Sequence, residues 1–196
     1  MLRRLVLIPL LAFGFGFAIA TVKGHGGGLL DAVGNLSAPW LLVAFLPGLR
    51  TRSIARGALA GVAATMLALA GFYLAVGLSA DYGLHGGLWA NIELAFTANR
   101  RYLAAGLLSG PLLGAAGSWW SSRSTLRPAP AVGLLLLGEP VVIMIIAVTH
   151  ILNIYAGYAY GWRSHSGPYI AEFLTGTIIL VAARLLPRGR ATQDDR

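Results

Sequence analysis

The 196-residue sequence has no cysteine, so it forms no disulfide bond and offers no thiolate for metal binding or nucleophilic catalysis. Charged residues are also scarce, at 11% of the chain against roughly 25% in soluble domains. Hydrophobic residues make up 57%, and the mean hydropathy is +0.71. A soluble domain of this size cannot bury so much apolar surface. The composition therefore predicts an integral membrane protein.

The sequence also lacks the patterns that mark common catalytic and cofactor sites. It has no Gly-x-Ser-x-Gly motif, and the glycine-rich stretch 24–28 lacks the Gly-Lys-Ser/Thr of a phosphate loop. The four histidines, His25, His85, His150 and His165, show no spacing typical of metal ligands. We therefore expect no catalytic residue, no metal and no cofactor, and we do not expect an enzyme.

The net charge of +8 reflects membrane topology rather than nucleic-acid binding, because the basic residues form short clusters between apolar segments. A membrane-spanning helix needs about 20 mainly apolar residues. The sequence predicts six such spans within one transmembrane bundle over residues 1–187, at about 5–22, 31–49, 55–79, 102–120, 131–155 and 169–186. A short amphipathic helix is expected at the outer interface over about 87–98, and a disordered cytoplasmic tail over 188–196.

The distribution of Lys and Arg predicts the orientation. With the N-terminus in the cytoplasm, 11 of these residues lie inside and four outside, so both termini are expected in the cytoplasm of a multi-pass cell-membrane protein. Ala18-Ile19-Ala20 resembles a signal-peptidase site, but the apolar run before it is long for a signal peptide. We favour a retained first helix.

Small residues at four-residue spacing predict close helix packing in the third and fourth spans. They are Gly57 and Gly61, and Gly106, Gly110 and Gly114. The simplest interpretation is packing within the bundle, although one stripe facing a partner subunit is an alternative.

Ionisable side chains within a bilayer are costly and suggest function. His150 and Asn153 are expected near the outer end of the fifth span, at a depth similar to that of Glu172 in the sixth, with Tyr155 and Tyr169 beside them. These residues predict an outward-facing pocket that binds or relays a proton or a cation. The alternative is an ordinary aromatic belt at the membrane interface.

Glu139 is expected deeper, in the inner half of the fifth span, and apart from that pocket. Pro140 removes a backbone donor and leaves a carbonyl free one turn earlier, to which a protonated Glu139 can bind. A second possibility is an ion pair with Arg184. We interpret Glu139 as a structural intramembrane acid.

Several segments resemble an uncharacterised family of small multi-pass membrane proteins of high-GC bacteria. The resemblance lies in residues 35–45 (NLSAPWLLVAF), 56–61 (RGALAG) and 110–120 (GPLLGAAGSWW), and in the step Gly138-Glu139-Pro140. It implies six helices and no assigned activity. In size and helix number the chain also resembles the substrate-capture subunits of energy-coupling vitamin transporters.

These observations favour a small-solute binding or transport component of the membrane, whose partners are the lipid bilayer and either a small solute or a membrane protein, not nucleic acid. The alternative is a non-catalytic membrane subunit or assembly factor of a larger complex.

Overall fold

The computed structural model describes residues 2–23, 28–79, 87–98, 100–123, 128–149 and 165–185. Its helices are α1 (Leu2–Lys23), α2 (Leu29–Gly34), α3 (Ala38–Gly48), α4 (Ile54–Ser79), α5 (Gly87–Ala98), α6 (Arg100–Ser122), α7 (Pro128–Thr149) and α8 (Gly167–Leu185). These ranges contain no β-strand. The predicted all-α fold is confirmed.

Four described segments are long and apolar enough to cross a membrane. They are Leu29–Gly48, which comprises α2 and α3, then Ile54–Ser79, Pro128–Ile145 and Gly167–Leu185. Many of their leucine, isoleucine and valine side chains are exposed, as expected of helices that face lipid. The chain is therefore a multi-pass membrane protein. The apolar part of α1, Leu7–Lys23, is shorter, and α6 is long enough but more polar.

Helix α4 lies at the centre of a helical core that we define as α1, α3, α4 and α6. Glycines permit its close approach to α6. A Cβ atom on Gly61 would lie 2.7 Å from the Gly114 Cα, and one on Gly110 would lie 2.9 Å from the Val62 Cα. Any larger residue at these positions would separate the two helices.

Aromatic rings connect α1, α3, α4 and α5 towards one end of the helical core. Trp40 packs edge-on against Phe15 and Phe72, with ring centroids 5.3 and 5.7 Å apart. Tyr73, whose side chain is fully buried, contacts Phe96 of α5 at 4.4 Å. Such pairs stabilise a fold beyond the area that they bury.

Helices α7 and α8 form an antiparallel pair, the α7–α8 pair. Helix α7 contacts α3 of the helical core, and α8 contacts α2, which lies outside that core. Gly133 and Gly176 set its register, because a Cβ on Gly176 would lie 2.8 Å from the Gly133 carbonyl oxygen. The α7–α8 pair makes far fewer contacts with the helical core than its two helices make with each other. The described contact between the α7–α8 pair and the helical core is therefore sparse.

The predicted second span over 31–49 corresponds to the candidate span Leu29–Gly48, and the structure adds an interruption within it that the sequence analysis did not predict. Helix α2 ends at Gly34, residues 35–37 are not helical, and α3 begins at Ala38. Pro39 falls in the first turn of α3, where proline is favoured because its missing N–H has no helical partner there. The interruption leaves the N-terminus of α3 inside the span.

Candidate functional site

Glu139 of α7 caps the N-terminus of α3 from a different helix. Its Oε2 atom accepts hydrogen bonds from the backbone N–H groups of Ser37, at 2.6 Å, and Ala38, at 2.7 Å. The Ser37 side chain provides no cap of its own. The first N–H groups of a helix have no partner within the helix and carry the positive end of its dipole, so they stabilise an anion. The Glu139 carboxyl group is therefore held at the start of α3, in a position where the helix favours an anion.

Glu172 of α8 lies beside Glu139, with the two carboxyl groups within hydrogen-bonding reach of each other. The Gly133–Gly176 contact explains this position, because the antiparallel register that it sets places residue 172 level with residue 137, within one turn of Glu139. Both side chains are buried, with 8% of Glu139 and 6% of Glu172 exposed. We refer to them as the carboxyl pair. The expected separation of these two acids in depth is not what the structure shows.

Most oxygen atoms of the carboxyl pair lack a donor. Oε1 of Glu139 and both carboxyl oxygens of Glu172 are buried and accept no hydrogen bond from the part of the chain that the structure describes. Burying an ionised carboxylate without a partner is strongly unfavourable. The arrangement therefore needs a proton or another cation between or beside the two groups.

A shallow, open cavity of about 310 Å³ lies beside Glu172, where α2 and α3 meet the α7–α8 pair. Apart from Glu172 and Thr175 its walls are apolar, with contributions from α2, α3, α7 and α8. The other lining residues are Val33, Leu36, Pro39, Leu136, Pro168 and Ala171.

A polar cluster fixes α2 against the end of α1. Lys23 donates a hydrogen bond to Asn35 at 2.8 Å and forms an ion pair with Asp31 at 3.9 Å, while Asn35 donates to Asp31 at 3.1 Å. Since α2 contributes Val33 to the cavity wall, this cluster also positions one side of the cavity.

Of the residues predicted to form an outer pocket, His150, Asn153 and Tyr155 lie outside the described residues. Glu172 lines the cavity, and Tyr169, one turn earlier on α8, is buried. Arg184, the ion-pair partner considered for Glu139, is exposed in the last turn of α8. It lies twelve residues beyond Glu172, or about 18 Å along the helix at 1.5 Å per residue. The Glu139 contacts that the structure shows are the α3 backbone and Glu172 instead.

The predicted packing glycines of α4 and α6 lie between these two helices. A Cβ on Gly57 would lie 2.6 Å from the Ser118 Cβ, and one on Gly106 would lie 3.0 Å from the side chains of Thr65 and Leu69. Gly61, Gly110 and Gly114 occupy the same contact. The small size of these glycines therefore serves the close packing of α4 against α6 within the chain.

Sequence reasoning missed the backbone N–H groups of Ser37 and Ala38 as part of the site. The sequence contains a local signal that permits a break, because Gly34, Asn35 and Pro39 are compatible with a helix end followed by a new helix start, although they also occur within continuous membrane helices. Pro140 also affects the site. Because it lacks an N–H group, the carbonyl of Leu136, a residue that lines the cavity, loses its helical hydrogen-bond donor.

Within the described ranges, no three His, Asp or Glu side chains come together in a manner that could hold a metal ion. The carboxyl pair alone supplies too few oxygen ligands for Ca²⁺, which takes six to eight.

The chain belongs to a family of unknown function, DUF6518, whose model matches residues 1–192. The resemblance to an uncharacterised family is thus confirmed, and it brings no activity with it. No curated protein matches the chain, and no solved structure does.

Proposed function

We propose that this member of DUF6518 binds and transports a small organic cation at the cavity beside Glu172. The observation that carries the proposal is Glu172: the residue lines a largely apolar cavity, and its carboxyl oxygens are buried and accept no hydrogen bond from the described chain. An apolar wall with one acidic group fits a solute that has an apolar body and one positive charge. The described residues around the cavity offer fewer oxygen ligands than the six to eight that Ca²⁺ takes.

The interrupted helix supports transport rather than binding alone. Solute sites of many membrane transporters lie near the bilayer midplane, next to discontinuous helices and between groups of helices that move against each other. Here the α2–α3 interruption, the carboxyl pair and the cavity coincide at the sparsely packed interface between the helical core and the α7–α8 pair. Movement of the α7–α8 pair would change which side of the membrane the cavity faces.

We also propose six membrane crossings, by α1, by α2 with α3, and by α4, α6, α7 and α8, with both termini in the cytoplasm of a cell-membrane protein. The distribution of Lys and Arg supports this orientation. The packing agrees, because α4 with α6 and α7 with α8 are antiparallel, as consecutive crossings in opposite directions require. Helix α5, with Trp89 largely exposed, is proposed to lie at the outer interface.

The alternative function is that of a non-catalytic membrane subunit or assembly factor. It requires that a stripe of glycines faces a partner protein. The stripe glycines of α4 and α6 pack against each other within the chain, so they do not favour it. We propose no enzymatic activity for this protein.

Binding of tetraalkylammonium ions of increasing size to the purified protein in lipid nanodiscs tests the proposal. Affinity should rise and then fall with ion size as the cavity fills. Removing one partner of a buried charge pair costs about 2–5 kcal/mol, so Glu172→Gln should weaken binding by roughly 30-fold or more.

Glu93→Gln is the matched control, because it removes the same charge from the exposed face of α5 and should leave the affinity unchanged. Equal affinity in wild type and Glu172→Gln would reject the site. A stoichiometric protein partner in native mass spectrometry, with no small-molecule binding, would favour the subunit alternative.

A further inference from the structure

We propose that the carboxyl pair holds one proton, carried by Glu172 and shared with Glu139, and that this proton is exchanged for the cationic solute. The inference rests on the proposed function and names the ion that is coupled to it. Its basis is the position of the two buried carboxyl groups relative to the N-terminus of α3 and to the cavity.

The carboxyl pair carries at least one proton when the cavity holds no cation, because its two carboxyl groups are buried and lie close together. The two acids are within hydrogen-bonding reach of each other, and both are more than nine-tenths buried. Two carboxylates that share a buried site repel each other, and one of them retains a proton. A single proton between them also supplies the hydrogen bond that the oxygen atoms otherwise lack.

The hydrogen-bond donors distinguish the two acids. Oε2 of Glu139 accepts two backbone hydrogen bonds, at 2.6 and 2.7 Å, at the positive end of α3. Such donors stabilise the ionised form. Glu172 has no donor in the described structure, so the proton resides on Glu172, which donates it to Oε1 of Glu139. Glu139 is then a positioning residue and Glu172 is the exchanging group.

No basic group of the described helices that pack around the carboxyl pair replaces this proton. Helices α2, α3 and α7 contribute only Asp31 and Glu139 as ionisable side chains, and Asp31 is paired with Lys23. Helix α8 adds the buried Tyr169 and Arg184, and Arg184 is about 18 Å from Glu172 along the helix axis. Among the described residues, the charge of the carboxyl pair is therefore balanced by a proton or by a cation in the cavity.

The exchange balances in charge and in protons. With the proton bound, Glu139 is ionised and Glu172 is neutral, so the carboxyl pair carries one negative charge. When a monovalent organic cation enters the cavity, the Glu172 O–H bond breaks and its proton leaves to water. Two carboxylates and one cation again carry one net negative charge. The site therefore binds either the proton or the cation, which is the requirement for proton–cation antiport.

Two measurements on the full-length protein test this inference independently of transport. Dicyclohexylcarbodiimide reacts with protonated carboxyl groups in apolar surroundings: the acid proton moves to a carbodiimide nitrogen, and the carboxyl oxygen adds to the central carbon. Peptide mass spectrometry should place the label on Glu172, and tetraethylammonium should reduce the labelling several-fold. Glu139→Gln should also reduce it, because the Gln amide group donates a hydrogen bond to Glu172 and favours its ionised form.

The second measurement uses the wild-type protein alone and does not depend on a variant that folds. Adding tetraethylammonium in weakly buffered solution should release about one proton per bound cation, with loss of the infrared C=O band of a protonated carboxyl group. Glu93→Gln should behave as wild type in both experiments. Labelling of Glu139 in preference to Glu172, or cation binding without proton release, would overturn the inference while leaving the proposed function intact. A labelled Glu172 in a protein that binds no cation would support the shared proton and would refute the exchange together with the proposed function.

Discussion

Replacing Glu139 by alanine should destabilise the protein more than removing an exposed carboxyl group. The Glu139 carboxylate is the acceptor for the backbone N–H groups of Ser37 and Ala38. Ala38 is fully buried, so water cannot easily replace the lost acceptor. The substitution therefore leaves two donors at the start of α3 without a partner.

The expected size of the effect follows from these two hydrogen bonds. A buried donor left without an acceptor costs about 1–3 kcal/mol of unfolding free energy, which applies in full to the Ala38 N–H, whereas the partly buried Ser37 N–H, which water can reach, adds less. Glu139→Gln keeps an oxygen acceptor but loses the charge. Charge-assisted hydrogen bonds are about twice as strong as neutral ones, and we therefore expect Gln to lose roughly half as much as Ala.

Thermal or denaturant unfolding of the variants, all in the same detergent, measures their order of stability. The expected stability falls from wild type to Glu139→Gln to Glu139→Ala. Glu93→Ala, at an exposed position of α5, is the control and should stay within about 0.5 kcal/mol of wild type. If Glu139→Ala were as stable as this control, the cap on α3 would not be an important contact.

Three further changes have distinct expected outcomes. Gly114→Ala should lower the unfolding free energy by about 1–3 kcal/mol, since its Cβ meets the α4 backbone, whereas Gly14→Ala, with no atom within 4 Å of its Cβ, should not; equal melting temperatures would contradict the packing. Lys23→Met removes half-exposed contacts worth about 0.2–1 kcal/mol, so hydrogen exchange should accelerate in α2 but not in α4, and unchanged exchange in α2 would refute the role of the cluster. Ala171→Phe should fill the cavity and abolish tetraethylammonium binding without unfolding the protein; retained affinity would place the site elsewhere.

Long apolar runs made the helical fold predictable. Bilayer thickness and backbone hydrogen bonding leave few alternatives to spanning helices, so helix type and approximate position follow from composition and length. The glycines of α4 and α6 were also identifiable, because their four-residue spacing places them on one helix face.

The interruption between α2 and α3 was missed because proline and glycine are common in membrane helices. Pro39 was interpreted as a residue within a continuous span, yet it stands in the first turn of a new helix. The local signals at Gly34, Asn35 and Pro39 are compatible with either arrangement. Only the contact with Glu139, about one hundred residues further along the chain, distinguishes them.

The contact between Glu139 and Glu172 could not be predicted from the sequence either. Each acid was recognised as unusual on its own, because ionisable groups are rare within membranes. Their relative depth depends on the register of α7 against α8, which the Gly133–Gly176 contact sets. An estimate of depth from the ends of predicted spans carries an error of a turn or more at each end, which is enough to place the two acids apart.

The most direct test of the central claim is uptake of labelled tetraethylammonium into proteoliposomes with an acidic interior. This ion is permanently charged and cannot cross the bilayer by losing a proton. We predict accumulation that requires the proton gradient, is retained in Glu93→Gln and is lost in Glu172→Gln. Uptake that is the same with and without the gradient, or the same in Glu172→Gln and wild type, would contradict proton-coupled transport at this site.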